Sequence, residues 1–152
     1  MWRIARDSRK LDLNSSYAYL LWCHDFAETS AVARVGRQVV GFVIGYLRPD
    51  APDVVVVWQI AVDAAWSGRG VAGAMLDHLV RRTSDRGARH LETTITEDND
   101  ASIGLFGSLA ARCGTTMVRS PLFQSSQFPD DHPSEDLYRI GPFQRARSRA
   151  ST

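Results

Sequence analysis

The run Val54-Val55-Val56-Val57-Trp58-Gln59-Ile60-Ala61-Val62, followed by Ser67-Gly68-Arg69-Gly70-Val71-Ala72, decides the architecture. The first stretch is apolar almost throughout, as expected of a central strand covered on both faces. The second leads into Ala72, Met75, Leu76, Leu79 and Val80, whose spacing lays one apolar stripe along a helix. A strand that turns through Gly68-Arg69-Gly70 into a helix gathers unpaired backbone N–H groups and the positive end of the helix dipole at one point. Such a point binds phosphate groups: the glycines let the backbone come close, and Arg69 adds charge. The loop lacks the Lys-Ser/Thr ending of a P-loop and the third glycine of a dinucleotide-binding turn. As a bare pattern it therefore also fits an ordinary tight strand-to-helix turn.

Working toward the N-terminus, Ser30 to Val35 and Val39 to Leu47 read as a β-hairpin around Gly36, Arg37 and Gln38, with Pro49 and Pro52 punctuating the loop after it. Residues 2–9 suit a short helix. Asp12-Leu13-Asn14-Ser15-Ser16 is rich in capping residues ahead of a second helix beginning near Tyr17. Toward the C-terminus, Gly87 closes the glycine-loop helix and His90 to Thr96 alternates like a strand. From Asn99 a further helix carries Ala101, Leu105 and Leu109 on one line, with Phe106 and Ala110 beside it. Thr115 to Arg119 is a last strand before a long polar loop to Leu137-Tyr138-Arg139-Ile140. The pattern is one mixed α/β domain over residues 1–143, with residues 144–152 as a basic, flexible tail.

Composition narrows the function. The 152 residues carry a formal net charge of +1, which removes the electrostatic argument for a nucleic-acid partner; three arginines in the tail bind phosphates only weakly. No apolar run is long enough to span a bilayer and no signal peptide is present, so a cytoplasmic location and no membrane partner are expected. The only cysteines, Cys23 and Cys113, have no metal-type spacing and are expected as buried small hydrophobes. No metal site is assigned. His24, His78 and His90 have no partner at ligand spacing.

Taken together, Ile60-Ala61-Val62-Asp63, Gly68-Arg69-Gly70-Val71-Ala72 and Asn99-x-x-Ser102-x-x-Leu105-Phe106 resemble the cofactor half of the GNAT acyl-CoA N-acyltransferase superfamily. The resemblance implies a mixed, mostly antiparallel sheet flanked by helices, with acetyl-CoA as co-substrate. In the superfamily motif Arg/Gln-x-x-Gly-x-Gly/Ala, Gly70 and Ala72 match while Ser67 stands where Arg or Gln is usual. The loop acts mainly through backbone amides, so that change is tolerable. By the same resemblance, Gly68, Arg69, Gly70, Val71 and Ala72 hold the pyrophosphate. Main-chain groups of Ile60 and Val62 hold the pantetheine arm and polarise the thioester carbonyl, and Asn99 hydrogen-bonds that arm. Phe106 replaces a tyrosine that often protonates the leaving thiolate, so the acid lies elsewhere or the thiolate leaves directly.

Residues 11–19, 57–63 and 91–99 are similar to the L-2,4-diaminobutyrate acetyltransferase family of ectoine biosynthesis, whose members are homodimers. Relatives begin with a further N-terminal strand, so the sheet is expected to lack that strand and the chain start to be late. The implied substrate carries two ammonium groups and one carboxylate, and a site for it needs acids, hydrogen-bonding groups and an apolar wall. Carry-over points to Asp12 and Tyr17 at the second helix, Trp58 on the central strand, and His132 with Glu135 in the late loop. Glu135 or His132 is the expected base, and Asp12 the partner of the distal ammonium. Each also has a structural explanation: Asp12 as a cap of the second helix or of its preceding turn, Tyr17 and Trp58 as core aromatics, and Pro129 to Asp136 as a solvated loop. Glu92 is read as a solvent-side strand residue and held in reserve.

Overall fold

The computed structural model describes residues 1–144, so all but the first residue of the expected tail lies outside the described residues. Helix α1 (Trp2–Ser8) stops at Arg9, which takes a left-handed conformation with φ 51°. Helix α2 (Ser16–Asp25) is capped by Ser15, whose hydroxyl accepts the Ala18 N–H. Capping therefore does not explain Asp12. Six strands follow: β1 (Ala31–Val35), β2 (Gln38–Arg48), β3 (Ala51–Val62), β4 (His90–Thr96), β5 (Thr116–Phe123) and β6 (Glu135–Gly141). Helix α3 (Val71–Ser84) connects β3 to β4, and helix α4 (Asp100–Arg112) connects β4 to β5.

The strands lie in the order β1-β2-β3-β4-β6-β5, with β3 and β4 parallel and every other pair antiparallel. Period-two alternation along β2 sorts the two faces. Val43 joins Met75, Leu76, Leu79, Phe106 and Leu109 of α3 and α4 in the larger core. Phe42 and Ile44 point the other way and pack on Ile4, Ala5 and Tyr19 of α1 and α2. Each fully buried side chain of this kind stabilises the fold by about 1.5–3 kcal/mol.

Several expectations are corrected by the structure. The hairpin turn holds only Gly36 and Arg37, with Gly36 at φ 58°. Pro52 lies inside β3 rather than in a loop; parallel pairing with β4 starts only at Val54, so its missing N–H costs no ladder bond there. Strand β5 extends to Phe123, and Glu135 opens β6 rather than lying in the polar loop. Cys23 is exposed and Cys113 half-buried, both free, so neither is a fully buried hydrophobe.

Two irregularities position the site. Strand β3 pairs with β4 only from Val54 to Val56, opposite His90 to Glu92; beyond that point no ladder joins the two strands. The β4-facing backbone groups of residues 57–62 are thereby left without a strand partner. Between β2 and β3, Ile44 pairs with Gln59 but Gly45 pairs with Val57, which leaves Trp58 as the extra residue of a β-bulge. Gly45 suits this spot because a Cβ would collide with the Val56 carbonyl oxygen. The bulge re-aims Trp58 so that it is 45% exposed, and β3 is not covered uniformly as its composition suggested.

Candidate active site

The glycine loop lies where β3 has parted from β4. Gly68 and Gly70 adopt φ 72° and 75°, a left-handed backbone that glycine supplies without strain. Gly70 immediately precedes α3, and the first helical bond runs from the Ala74 N–H to the Gly70 carbonyl. The N–H groups of Val71, Ala72 and Gly73 therefore have no helical acceptor. A groove of ≈ 400 Å³ opens over them, lined by Ile60, Val62, Ser67, Gly68, Ala72 and Asn99 among others. A Cβ added at Gly68 or Gly70 meets no heavy atom within 4 Å, so the space over the two glycines is open. The Asn99 side-chain Oδ1 caps α4 by accepting the Ser102 N–H, which leaves its NH₂ for a ligand in the groove. Arg69 departs from expectation: its guanidinium lies 4.8 Å from the Trp66 ring centroid and lines a neighbouring groove between β1 and α3, not this one.

Where β3 and β4 have parted, a second cavity of ≈ 750 Å³ meets the first at Ile60, Asn99 and Ser102. It continues into a space of ≈ 360 Å³ that shares Asp12, Trp58, Thr94, His132 and Glu135 with it. Trp58 forms one wall, its ring centroid 5.0 Å from that of Trp22 with the planes tilted by 31°. His132 lies flat on Phe128, with centroids 4.2 Å apart and planes 19° apart. Its Nε2 sits 3.5 Å from Asp12 Oδ2 and 3.5 Å from Glu135 Oε1. Its Nδ1 donates to the Pro133 carbonyl at 2.8 Å. Thr94 Oγ1 donates to Glu135 Oε2, which orients that carboxylate and leaves Oε1 toward the cavity.

Electrostatics favour a protonated His132. Its pKa lies above the ordinary imidazole value, first because the Pro133 carbonyl accepts its N–H, and further through the charges of Glu135 and Asp12; burial opposes the shift. The stretch read as a possible solvated loop thus supplies a half-buried His–carboxylate pair.

The structure brings together Asp12, Trp58, His132 and Glu135, but not Tyr17. Tyr17 is 65% exposed and lines neither cavity. A two-residue step on a helix turns about 200°, so Tyr19 faces inward and Tyr17 faces out. Buried Tyr19 donates from its hydroxyl to Gln59 Oε1 at 2.9 Å, and Gln59 Nε2 donates to the Asp12 carbonyl at 2.9 Å. Burial, opposed by hydrogen bonds, raises the Tyr19 phenol above its usual pKa and keeps it a donor. Gln59, Thr94 and Phe128 were not anticipated from sequence. Gln59 was the findable one, a lone amide inside an apolar strand. Glu92 is also not solvent-side: it is 5% exposed and held by two arginines.

Comparison with known proteins decides the family. The acetyltransferase (GNAT) family model matches residues 1–110. The chain belongs to the GNAT acetyltransferase family. It is 55% identical over 142 residues to the L-2,4-diaminobutyric acid acetyltransferase of Nocardia farcinica, covering 93% of this chain and 74% of that one. With the enzyme of the same name from Streptomyces coelicolor it shares 57% over 145 residues, covering 93% and 85%. Among solved structures it superposes on the diaminobutyrate acetyltransferase EctA of Paenibacillus lautus, in complex with L-2,4-diaminobutyric acid and coenzyme A. The TM-score is 0.89 at 35% identity, covering 95% of this chain and 89% of that one. The GNAT membership confirms the expected fold class, a mixed, mostly antiparallel sheet flanked by helices.

Proposed function

We propose that this chain transfers the acetyl group of acetyl-CoA to the γ-amine of L-2,4-diaminobutyrate, the acetylation step of ectoine synthesis. The observation that carries this reading is the meeting of two unlike grooves at Ile60, Asn99 and Ser102: one lined by free helix N–H groups, the other by carboxylates, a histidine and a tryptophan. A diamine suits the second, because Asp12 and Glu135 present two carboxylates to two ammonium groups. Relatives at 55% and 57% identity that bear this activity as their name support the same substrate.

Bound in the first groove, acetyl-CoA supplies an activated acetyl thioester. The N–H groups of Val71, Ala72 and Gly73 would hold its pyrophosphate, and unpaired backbone groups of β3 around Ile60 and Val62 its pantetheine arm. Asp12 binds the α-ammonium, with its loop fixed by Gln59. Trp58 shields the reacting end from water. Glu135 takes the γ-ammonium proton on Oε1, since Oε2 is engaged by Thr94. His132 Nε2, 3.5 Å away, relays that proton outward once it has itself deprotonated. Phe106, 2% exposed and without a hydroxyl, gives no proton to the leaving group.

We further infer a cytoplasmic homodimer. No described helix is long and apolar enough to cross a membrane. Edge strand β5 exposes Val118, Leu122 and Phe123, apolar side chains that suit a protein contact. A panel of amines assayed by thiol release tests the substrate assignment. L-2,4-diaminobutyrate is expected to give the highest kcat/KM; a tenfold preference for any other amine would overturn it.

A further inference from the structure

A charge cluster that proton transfer does not use reaches the acceptor groove through Arg48. Glu92, on β4, has a side chain only 6% exposed. Its Oε2 accepts from Arg48 Nη2 at 2.5 Å and its Oε1 from Arg139 Nη1 at 2.5 Å. Two guanidinium groups on one carboxylate leave a net positive charge, so the pairing of Glu92 does not cancel the charge of Arg48. Arg48 lines the ≈ 360 Å³ space together with Asp12, Trp58, His132 and Glu135, and is the one Arg or Lys among its lining residues. Its bond to Glu92 engages Nη2, and a guanidinium carries five N–H donors in a planar fork.

We propose that Arg48 binds the α-carboxylate of the acceptor and makes the enzyme specific for a diamino acid over a plain diamine. This rests on the diaminobutyrate reading above. Among the described residues, no other arginine or lysine lines the ≈ 360 Å³ space; Lys10 lines the ≈ 750 Å³ cavity where it joins the phosphate groove.

Distances along β4 fit the assignment. Glu92 anchors Arg48, and Thr94, which orients Glu135, lies two residues further along the strand. Two strand residues span ~6.6 Å. An extended diaminobutyrate places its carboxylate carbon and γ-nitrogen four single bonds apart, ~5 Å. A molecule clamped by Arg48 at one end therefore delivers its γ-amine to Glu135 at the other. Glu92 acts as a positioning residue: it holds the guanidinium against the sheet so that the fork faces the groove. Arg139 keeps that carboxylate neutralised when Arg48 turns its remaining donors to the substrate.

The test compares L-2,4-diaminobutyrate with 1,3-diaminopropane, the same diamine without its carboxylate. Wild-type enzyme should favour the amino acid in kcat/KM. Arg48→Gln should lose at least ~30-fold on diaminobutyrate, the cost of removing one partner of a desolvated charge pair. On 1,3-diaminopropane it should change by less than threefold. Arg48→Lys, which keeps a cation beside Glu92, guards against misfolding. It should show a smaller loss confined to diaminobutyrate, because an ammonium cannot form the bidentate pair. Equal losses on both substrates, or none on diaminobutyrate, would overturn the role of Arg48 while leaving the diaminobutyrate reading intact. A wild-type enzyme indifferent to the carboxylate would overturn both.

Discussion

The two grooves of this enzyme are built on different principles. The phosphate cradle is made of backbone: left-handed Gly68 and Gly70, three free N–H groups, and a strand with no neighbour on one side. The acceptor groove is made of side chains drawn from Asp12 on a loop, Trp58 on a bulge, Thr94 on β4, His132 on the approach to β6 and Glu135 at its start. A backbone site is contiguous in the chain and indifferent to most side chains around it, as Ser67 and the outward-turned Arg69 illustrate. A side-chain site depends on tertiary assembly, and each of its groups is replaceable only at a cost.

This contrast is open to breaking at several points. Glu135→Gln should have the largest effect, lowering kcat by about 10²–10⁴ as expected for loss of a general base, with coenzyme A affinity unchanged. A substantial residual kcat would move the base elsewhere, His132 being the next candidate. Trp58→Ala should weaken acceptor binding by about 2 kcal/mol, the cost of truncating an aromatic anchor of a binding site. Steady-state kinetics at saturating acetyl-CoA would report this as a raised KM for the diamine. Gly70→Val should act on the other groove, weakening coenzyme A binding because a branched side chain enters the cradle. Its φ of 75° also predicts a stability loss of about 1–3 kcal/mol, visible as a lower Tm. Gln59→Leu should cost about 1–2 kcal/mol by leaving the Tyr19 hydroxyl unsatisfied and freeing the Asp12 loop.

The smallest effect is in pH. Because His132 is raised above its ordinary value near 6.5, its protonated form is favoured in the folded enzyme. That stabilisation is fully present below pH ~6.5 and is lost as pH rises through the higher folded value. Relay through Nε2 needs the neutral ring, so kcat/KM should climb across this same window, above pH ~6.5. His132→Gln should flatten the climb. A profile rising around pH ~4, where carboxylates titrate, would remove His132 from the proton path.

How much of this was legible in the sequence follows from the same contrast. The glycine loop, the α3 stripe from Met75 to Val80 and strand β4 were readable because each is local. The apolar run of β3 was readable as a strand, but its bulge was not, because a bulge is a property of two strands and shows only when Trp58 fails to find a partner on β2. Asp12, Trp58, His132 and Glu135 came from family resemblance and are gathered by the fold. Tyr17 came from the same source and is not, since its helix turns it outward and presents Tyr19 instead. Glu92 looked like a solvent residue because alternation predicts the face of a strand but not what covers it. That face is covered by arginines from β2 and β6 that lie more than forty positions away in sequence.

The most direct test of the division between the two grooves is coenzyme A affinity, measured by titration calorimetry, in Glu135→Gln and Gly70→Val side by side. Kd should be unchanged in Glu135→Gln, which has lost turnover, and weakened by about tenfold or more in Gly70→Val, for about 1.4 kcal/mol or more of lost binding. An equal weakening in both, with both proteins folded, would contradict that division.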